Sequence, residues 1–230
     1  MNPLVTALEG TLIVSCQAYP GEPLRDPRTM AQIAAAVQNG GATAVRAQGL
    51  EDIRQVKAAV DIPVIGIWKD GTDGVFITPT LDHCLAVLDA GADILALDGT
   101  LRPRPDGRTL DQTITALRHR FDGPIMADCD SVDSAHHAAD LGIDLIGTTL
   151  AGYTPAREKT TGPDLDLLTE LAATLPTTSA LIAEGRIHTP AHATAARTAG
   201  AHAVVVGTAI THPTTITTWF RDAVTGAAAG

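Results

Sequence analysis

Thirteen arginines but only three lysines, Lys57, Lys69 and Lys159, occur in this 230-residue chain, and Lys69 closes its most apolar run, VIGIWK. Burial at the end of such a run disfavours an ammonium and lowers its pKa. Bringing a lysine from about 10.4 to about 7.5 corresponds to roughly 4 kcal/mol between its two protonation states and gives a usable acid/base near neutral pH. The bland alternative is that Lys69 reaches solvent or pairs with Asp70. Other apolar runs also end in polar residues: Gln17; Arg46 with Gln48; Asp98; Asp128 and Asp130; Thr148 and Thr149; Glu184, Gly185 and Arg186; Gly207 and Thr208. One polar residue at a strand end means little, whereas several convergent ones of acid/base and cationic type make a candidate site. In AEGR (183–186) and VVVGTAIT (204–211), Gly185 and Gly207 permit close backbone approach and Arg186 adds a forked cation, a pattern suited to phosphate. Read blandly, these glycines only allow tight turns.

Positioning these residues requires a repeating scaffold. Four segments look alike: NGGATAVRAQG from Asn39, DAGADILALDG from Asp89, DLGIDLIGTTL from Asp140 and TAGAHAVVVGT from Thr198. Each places Gly where a helix would end, then a small step, then an apolar strand. Four more strand candidates lie between them: TLIVSCQ (11–17), PVIGIWK (63–69), PIMADCD (124–130) and ALIAEGR (180–186). Near-continuous apolar runs fit parallel strands buried on both faces. The intervening Ala- and Leu-rich segments, such as TMAQIAAAVQ and LDLLTELAATL, have helical spacing. Eight strands alternating with helices predict a single-domain (β/α)8 TIM barrel over residues 1–230, with its site at the C-terminal ends of the strands. An open doubly wound sheet is the alternative, weakened by the lack of a G-x-G-x-x-G opening a helix.

Aromatics are only 3 % of the chain, so the core must be aliphatic. A net charge of −10 argues against nucleic acid or an anionic membrane as partner, and obliges any anionic substrate to find a local cationic cluster. Cys16, Cys84 and Cys129 have no metal-ligand spacing and read as free thiols in a reducing compartment. No signal-peptide pattern and no run of about 18 apolar residues is visible, so a soluble, cytoplasmic protein is expected.

The stretches LIVSCQAYPGEPL (12–24), GIWK (66–69), VFITPTL (75–81), AGADILALDGTLRPRP (90–105), MADCDSV (126–132), LGIDLIGTTLAGYT (141–154), IAEGRIHTP (182–190) and GAHAVVVGTAIT (200–211) resemble the N-acetylmannosamine-6-phosphate 2-epimerases of bacterial sialic acid catabolism. The resemblance runs from the first strand to the last helix. It implies interconversion of N-acetylmannosamine 6-phosphate and N-acetylglucosamine 6-phosphate by inversion at C2. It further implies Lys69 as principal acid/base and Glu184 as the second, in ring opening or on the opposite face. Gln17, Arg46 and Asp128 become substrate contacts, and Gly185, Arg186, Gly207 and Thr208 phosphate loops. No metal or organic cofactor is implied, and a homodimer is expected. Asp70 stands where relatives often carry Arg, and Gln48, His188 and His212 stand where Asn, Asn and Arg are expected.

Other residues stay with plainer readings. His188 and His192 have an i, i+4 spacing but no evident third ligand, so no metal is expected. His136 and His137 cannot both face one site. Cys129, with no histidine beside it, reads as a small buried thiol. The RPRP of Arg102 to Pro105 could contact an anion or simply stiffen a loop, and Trp219 and Phe220 would pack on the barrel or a partner subunit. Two rival functions remain open: a Schiff-base aldolase using Lys69, and a catalytically silent phosphosugar binder.

Overall fold

A computed structural model describes residues 2–226. Eight strands form one closed, all-parallel barrel in sequence order: β1 (Leu12–Cys16), β2 (Ala44–Gln48), β3 (Val64–Ile67), β4 (Ile94–Asp98), β5 (Ile125–Asp128), β6 (Leu145–Gly147), β7 (Ala180–Glu184) and β8 (Ala203–Val206), with β8 pairing back to β1. The expected barrel is therefore the fold, and the open-sheet alternative falls away. Ten helices alternate with and flank the strands: α1 (Pro3–Ala7), α2 (Pro27–Asn39), α3 (Leu50–Ala59), α4 (Leu81–Asp89), α5 (Leu110–Arg118), α6 (Val132–Asp140), α7 (Leu165–Thr174), α8 (Pro190–Thr198), α9 (Thr208–Thr211) and α10 (Pro213–Thr225), among the described residues.

The repeated glycines are helix terminators. After α2, Gly41 takes φ +96° and its N–H donates to Gln38 O, while Ala42 N donates to Val37 O. This is the left-handed stop in which two orphan carbonyls of the last turn are satisfied. Gly91, Gly142 and Gly200 repeat it after α4, α6 and α8. N-caps start many helices equally plainly, with Asp26, Thr80, Thr109, Ser131, Asp164 and Thr189 each accepting a first-turn N–H.

Alternation along the strands divides the core in two. Outward residues such as Val14, Val45, Leu95, Ile146 and Val204 pack against the helices. Inward residues such as Ile13, Ile65, Ile94, Met126, Ile182 and Val205 fill the barrel. The short α1, not foreseen from sequence, adds Val5, and its C-cap adds Leu8, to that inner cluster. It crosses the N-terminal end, where His202 Nε2 meets Val5 O at 2.9 Å and Gly10 N donates to His202 O. With that end plugged, side chains on the inward parity at the other end face the mouth.

Candidate active site

Counting inward positions upward from the apolar filling gives Ser15 and Gln17 after Ile13, Arg46 and Gln48 after Ala44, Asp128 after Met126 and Glu184 after Ile182. Their chemistry is thus set by the period of two that also fills the core. Lys69 keeps the same parity as Ile65 and Ile67 but lies beyond β3. It belongs to a short hairpin: Lys69 bridges Ile77 antiparallel, Asp70 N donates to Phe76 O, and Thr78 N donates to Trp68 O.

The centre of the floor is a charge cluster. Arg46 Nη1 donates to Asp128 Oδ1 at 2.9 Å and to Glu184 Oε2 at 2.7 Å, and its Nη2 closes a second bond to Asp128. Arg46 and Asp128 are buried, whereas the Glu184 side chain remains 13 % exposed at the mouth. Thr149 Oγ1 bridges Asp128 Oδ1 at 2.7 Å and Glu184 Oε2 at 3.2 Å. Burial opposes the Arg46 charge, but Asp128 and Glu184 more than reverse it and hold the guanidinium ionised. Glu184 is held above the ordinary carboxylate range by burial, with Asp128 adding and Arg46 opposing.

Lys69 Nζ donates to Gln17 Oε1 at 2.8 Å, and Gln17 Nε2 donates to Ser15 Oγ at 2.7 Å. Burial and then Arg46 lower the Lys69 pKa to about 8, against the pull of Glu184 and Asp128. Asp70, 68 % exposed, lies 3.3 Å from His83 Nε2 and has no ion-pair contact with Lys69. Asp130 is spent on Ser131, Ser134 and Thr154 below the loops.

These groups line a cleft of about 750 Å³ at the barrel mouth. It brings together Gln17, Arg46, Lys69, Glu184, Gly185, Arg186, Gly207 and Thr208, while Asp128 lies beneath as the partner of Arg46. The Arg186 side chain, however, turns to the β6–α7 loop. It donates to Gly162 O, Ala151 O and Thr160 Oγ1, and stacks over Tyr153. Gly185 at φ +113° and Arg186 at φ +54° form a left-handed corner. Among the described residues, the backbone N–H groups of Gly185, Arg186, Gly207 and Thr208 make no hydrogen bond within the chain, so what these loops offer the cleft is main-chain donors.

Ser15, Arg25, Phe76, Tyr19 and Tyr153, which the pattern of strand-end residues does not single out, also line the cleft. A signal existed for the tyrosines: the chain has only two, and both stand 53 % exposed at this mouth. Three His, Cys, Asp or Glu side chains arranged to hold a metal do not occur among the described residues. His192 Nδ1 instead accepts from the His188 N–H. Burial raises the Cys16 and Cys84 thiols to about 12 and pushes Cys129 well above its ordinary value.

A family model described as "Putative N-acetylmannosamine-6-phosphate epimerase" matches residues 30–226. The chain belongs to that epimerase family. A relative from Cutibacterium acnes (strain DSM 16379 / KPA171202), named "Putative N-acetylmannosamine-6-phosphate 2-epimerase", is 60 % identical over 220 residues, covering 96 % of each chain. A relative of the same name from Corynebacterium glutamicum (strain R) is 47 % identical over 222 residues, covering 95 % of each. The solved structure of the N-acetylmannosamine-6-phosphate 2-epimerase from Clostridium perfringens superposes with a TM-score of 0.91 at 38 % identity, covering 96 % of each chain.

The residues expected to depart from the family pattern have defined places. Gln48 Oε1 accepts from Arg25 Nη2 at 3.2 Å, and Arg25 in turn pairs with buried Asp52. His188 lies against Trp219 and is held below its ordinary range by burial, then by His192 and Arg186. His212 Nδ1 accepts from Thr215 N and caps α10, with Nε2 3.3 Å from Glu22 and the Tyr19 ring edge-on beside it.

Proposed function

We propose that this chain, acting as one catalytic domain over residues 1–230, interconverts N-acetylmannosamine 6-phosphate and N-acetylglucosamine 6-phosphate in amino sugar and sialic acid catabolism. The observation that carries the mechanism is that Lys69 and Glu184 line one cleft from opposite strands, with burial lowering Lys69 to about 8 and pushing Glu184 upward from its ordinary value. Lys69 follows β3 and Glu184 ends β7, four strands apart in an eight-stranded barrel, so a sugar between them shows one face to each.

In the ring-opened sugar C2 lies beside the C1 aldehyde. The neutral Lys69 amine takes the C2 proton, and the electron pair moves into an enolate with its charge on O1. Protonated Glu184 then gives its proton to C2 from the other side, the enolate collapses to the aldehyde, and C2 is inverted. Lysine ends as ammonium and glutamate as carboxylate, the pair required for the reverse reaction. The Arg46 charge favours the enolate, and its buried Nε–H has no partner within the protein. Asp128 fixes Arg46, Gln17 holds Lys69, and the free N–H groups of Gly185, Arg186, Gly207 and Thr208 receive the phosphate. We place the protein in the cytoplasm, a reading supported by three unpaired thiols. A homodimer completes the reading, supported by Phe220 and Val224, exposed one turn apart on α10, and is checked by sedimentation.

The decisive test incubates the protein with N-acetylmannosamine 6-phosphate in D₂O and follows C2 by NMR. The gluco epimer is expected to form carrying deuterium at C2, and Lys69→Ala is expected to abolish it. Absence of conversion by folded, substrate-binding protein overturns the assignment, and conversion without deuterium overturns the proton route.

A further inference from the structure

Lys69 and Glu184 carry the chemistry proposed above, yet the side chain that orients Lys69 is itself oriented. An ammonium has only protons to offer, so Gln17 must turn its carbonyl oxygen toward Lys69, as it does at 2.8 Å. That leaves the Gln17 amide NH₂ facing the opposite way, toward β1. There Ser15 Oγ accepts it at 2.7 Å. Ser15 and Gln17 are two residues apart, so the pleat puts both on the inward face, one above the other.

We propose that Ser15 is a positioning residue for the epimerisation: by accepting from the Gln17 amide, it anchors Gln17 so that its carbonyl oxygen is held on the Lys69 amine. The ammonium, which only donates, sets which end of the amide faces it, and the serine anchors the other end so that the carbonyl stays on the amine.

Ser15 is itself firmly placed. It is buried, it stands in register with Arg46 on β2, and its carbonyl accepts from Thr211 Oγ1 at 2.8 Å. Gly207 at the end of β8 lies so close that a Cβ there would come within 3.3 Å of Ser15 Cβ. A side chain at Gly207 would thus press on Ser15 and displace it by a few tenths of an ångström.

Several groups act on Lys69 besides Gln17. Arg46 from β2 and Arg25 from the β1–α2 loop disfavour its charge, while Glu184 from β7 and Asp128 from β5 favour it. The Tyr19 ring lies 5.8 Å from Nζ. None of these is moved by removing the serine hydroxyl. With the hydroxyl gone the carbonyl is no longer held on the ammonium, the charged form loses a partner, and the neutral amine is favoured. The pH–rate limb belonging to Lys69 then moves to lower pH, while the disordered amine reacts more slowly.

The proposal rests on Lys69 being the base, and the experiment keeps the two apart. Wild type, Ser15→Ala, Gln17→Ala, the double variant and Lys69→Ala are assayed for kcat, KM, pH profile and melting temperature. Ser15→Ala is expected to lower kcat about tenfold with KM within about twofold, and to shift the limb down by up to about one pH unit, the size of one hydrogen bond to a charged group. In the Gln17→Ala background the same change is expected to add nothing, because a residue acting through another is silent once that other is gone. A Ser15→Ala enzyme with unchanged kcat and limb overturns the proposal. So do losses that add fully to those of Gln17→Ala, or a lowered melting temperature with the limb unmoved. Full turnover by Lys69→Ala overturns the base assignment and this proposal with it. An inactive Lys69→Ala beside an unaltered Ser15→Ala overturns the proposal alone.

Discussion

Lys69 is held where an ammonium is costly, and that cost is measurable as stability. Its pKa is about 8 in the fold against an ordinary 10.5. Between those values the unfolded chain binds more protons than the folded one, so stability rises with pH there. Below about pH 8 both states are charged and the full penalty is present. Above about 10.5 both are neutral and it is gone. The shift sets a ceiling of about 3 kcal/mol, which partial exposure of the side chain reduces. Lys69→Met is therefore expected to be inactive and more stable at pH 7 by roughly 1–2 kcal/mol, with the gain fading as pH passes 10. Denaturant titrations at pH 7 and pH 10.5 check it, and an equal gain at both values would show that packing, and not charge, is responsible. The same residue explains what was legible at this scale. Lys69, Arg46, Asp128 and Glu184 were legible among the polar residues that end the apolar runs, and the family resemblance singled them out, since inward parity also admits Asp98 and Gln48. The direction of the Arg186 side chain was not legible, since it follows from a loop that brings Gly162, Ala151 and Thr160 back over β7.

At the scale of elements, the hairpin from Trp68 to Thr78 is the part a linear reading misses. The segment DGTDG reads as a loop, and nothing local announces that VFIT returns antiparallel along IWKD. What holds it comes from elsewhere in the chain. Arg102, after β4, spends each guanidinium nitrogen on a different group: Nε on Thr100 Oγ1 at 3.0 Å, Nη2 on buried Asp98 at 2.7 Å and Nη1 on Gly74 O at 2.7 Å at the hairpin tip. Ile77 O also accepts from Asp98 N. The first arginine of RPRP therefore fastens the arm that carries Lys69, and Arg104 fastens the loop below it through Pro79 O and Asp98 O. Arg102→Ala leaves Asp98 buried without its cation and frees an exposed tip. A destabilisation of about 3 kcal/mol is expected, the scale for breaking one side of a buried ion pair. A larger fall in kcat than in substrate affinity should accompany it, since the tip governs Lys69 and not the phosphate loops. Arg102→Lys, which restores one donor and the charge, should recover part of the stability but little of the rate. Equal recovery of both would show that charge alone matters. Hydrogen exchange at Asp70 and Thr78 N–H, whose bonds close the hairpin, reports the loosening directly.

For the molecule as a whole, the two ends of the barrel carry different burdens. The mouth gathers Arg25, Arg46, Lys69, Arg102 and Arg186 in a chain whose net charge is −10, but Arg25, Arg46 and Arg102 are paired with carboxylates and Arg186 is turned to loop carbonyls, so an anionic sugar phosphate depends on Lys69 and on the main-chain donors of the loops. The other end carries α1, whose Val5, with Leu8 at its C-cap, completes the inner core of Ile13, Ala44 and Ala203. The eightfold alternation of apolar strands with helices made the barrel readable from sequence, and the helix-ending glycine, repeated after α2, α4, α6 and α8, marked every second unit. A five-residue helix before β1 repeats nothing, and only the closed barrel gives it a hole to fill. A barrel whose chemistry lies at one end and whose stopper lies at the other should separate stability from activity. Leu8 is almost fully buried, and Leu8→Ala removes its contacts and leaves a cavity in the plug. The expected loss is about 3 kcal/mol, lowering the melting temperature by roughly 6–12 °C for a chain of this size. At 25 °C, where the variant remains folded, KM, kcat and the pH limb of Lys69 should match those of the wild type. A changed pH limb at unchanged melting temperature would mean that the inner core transmits strain from floor to mouth, and the two ends would then have to be treated as one unit.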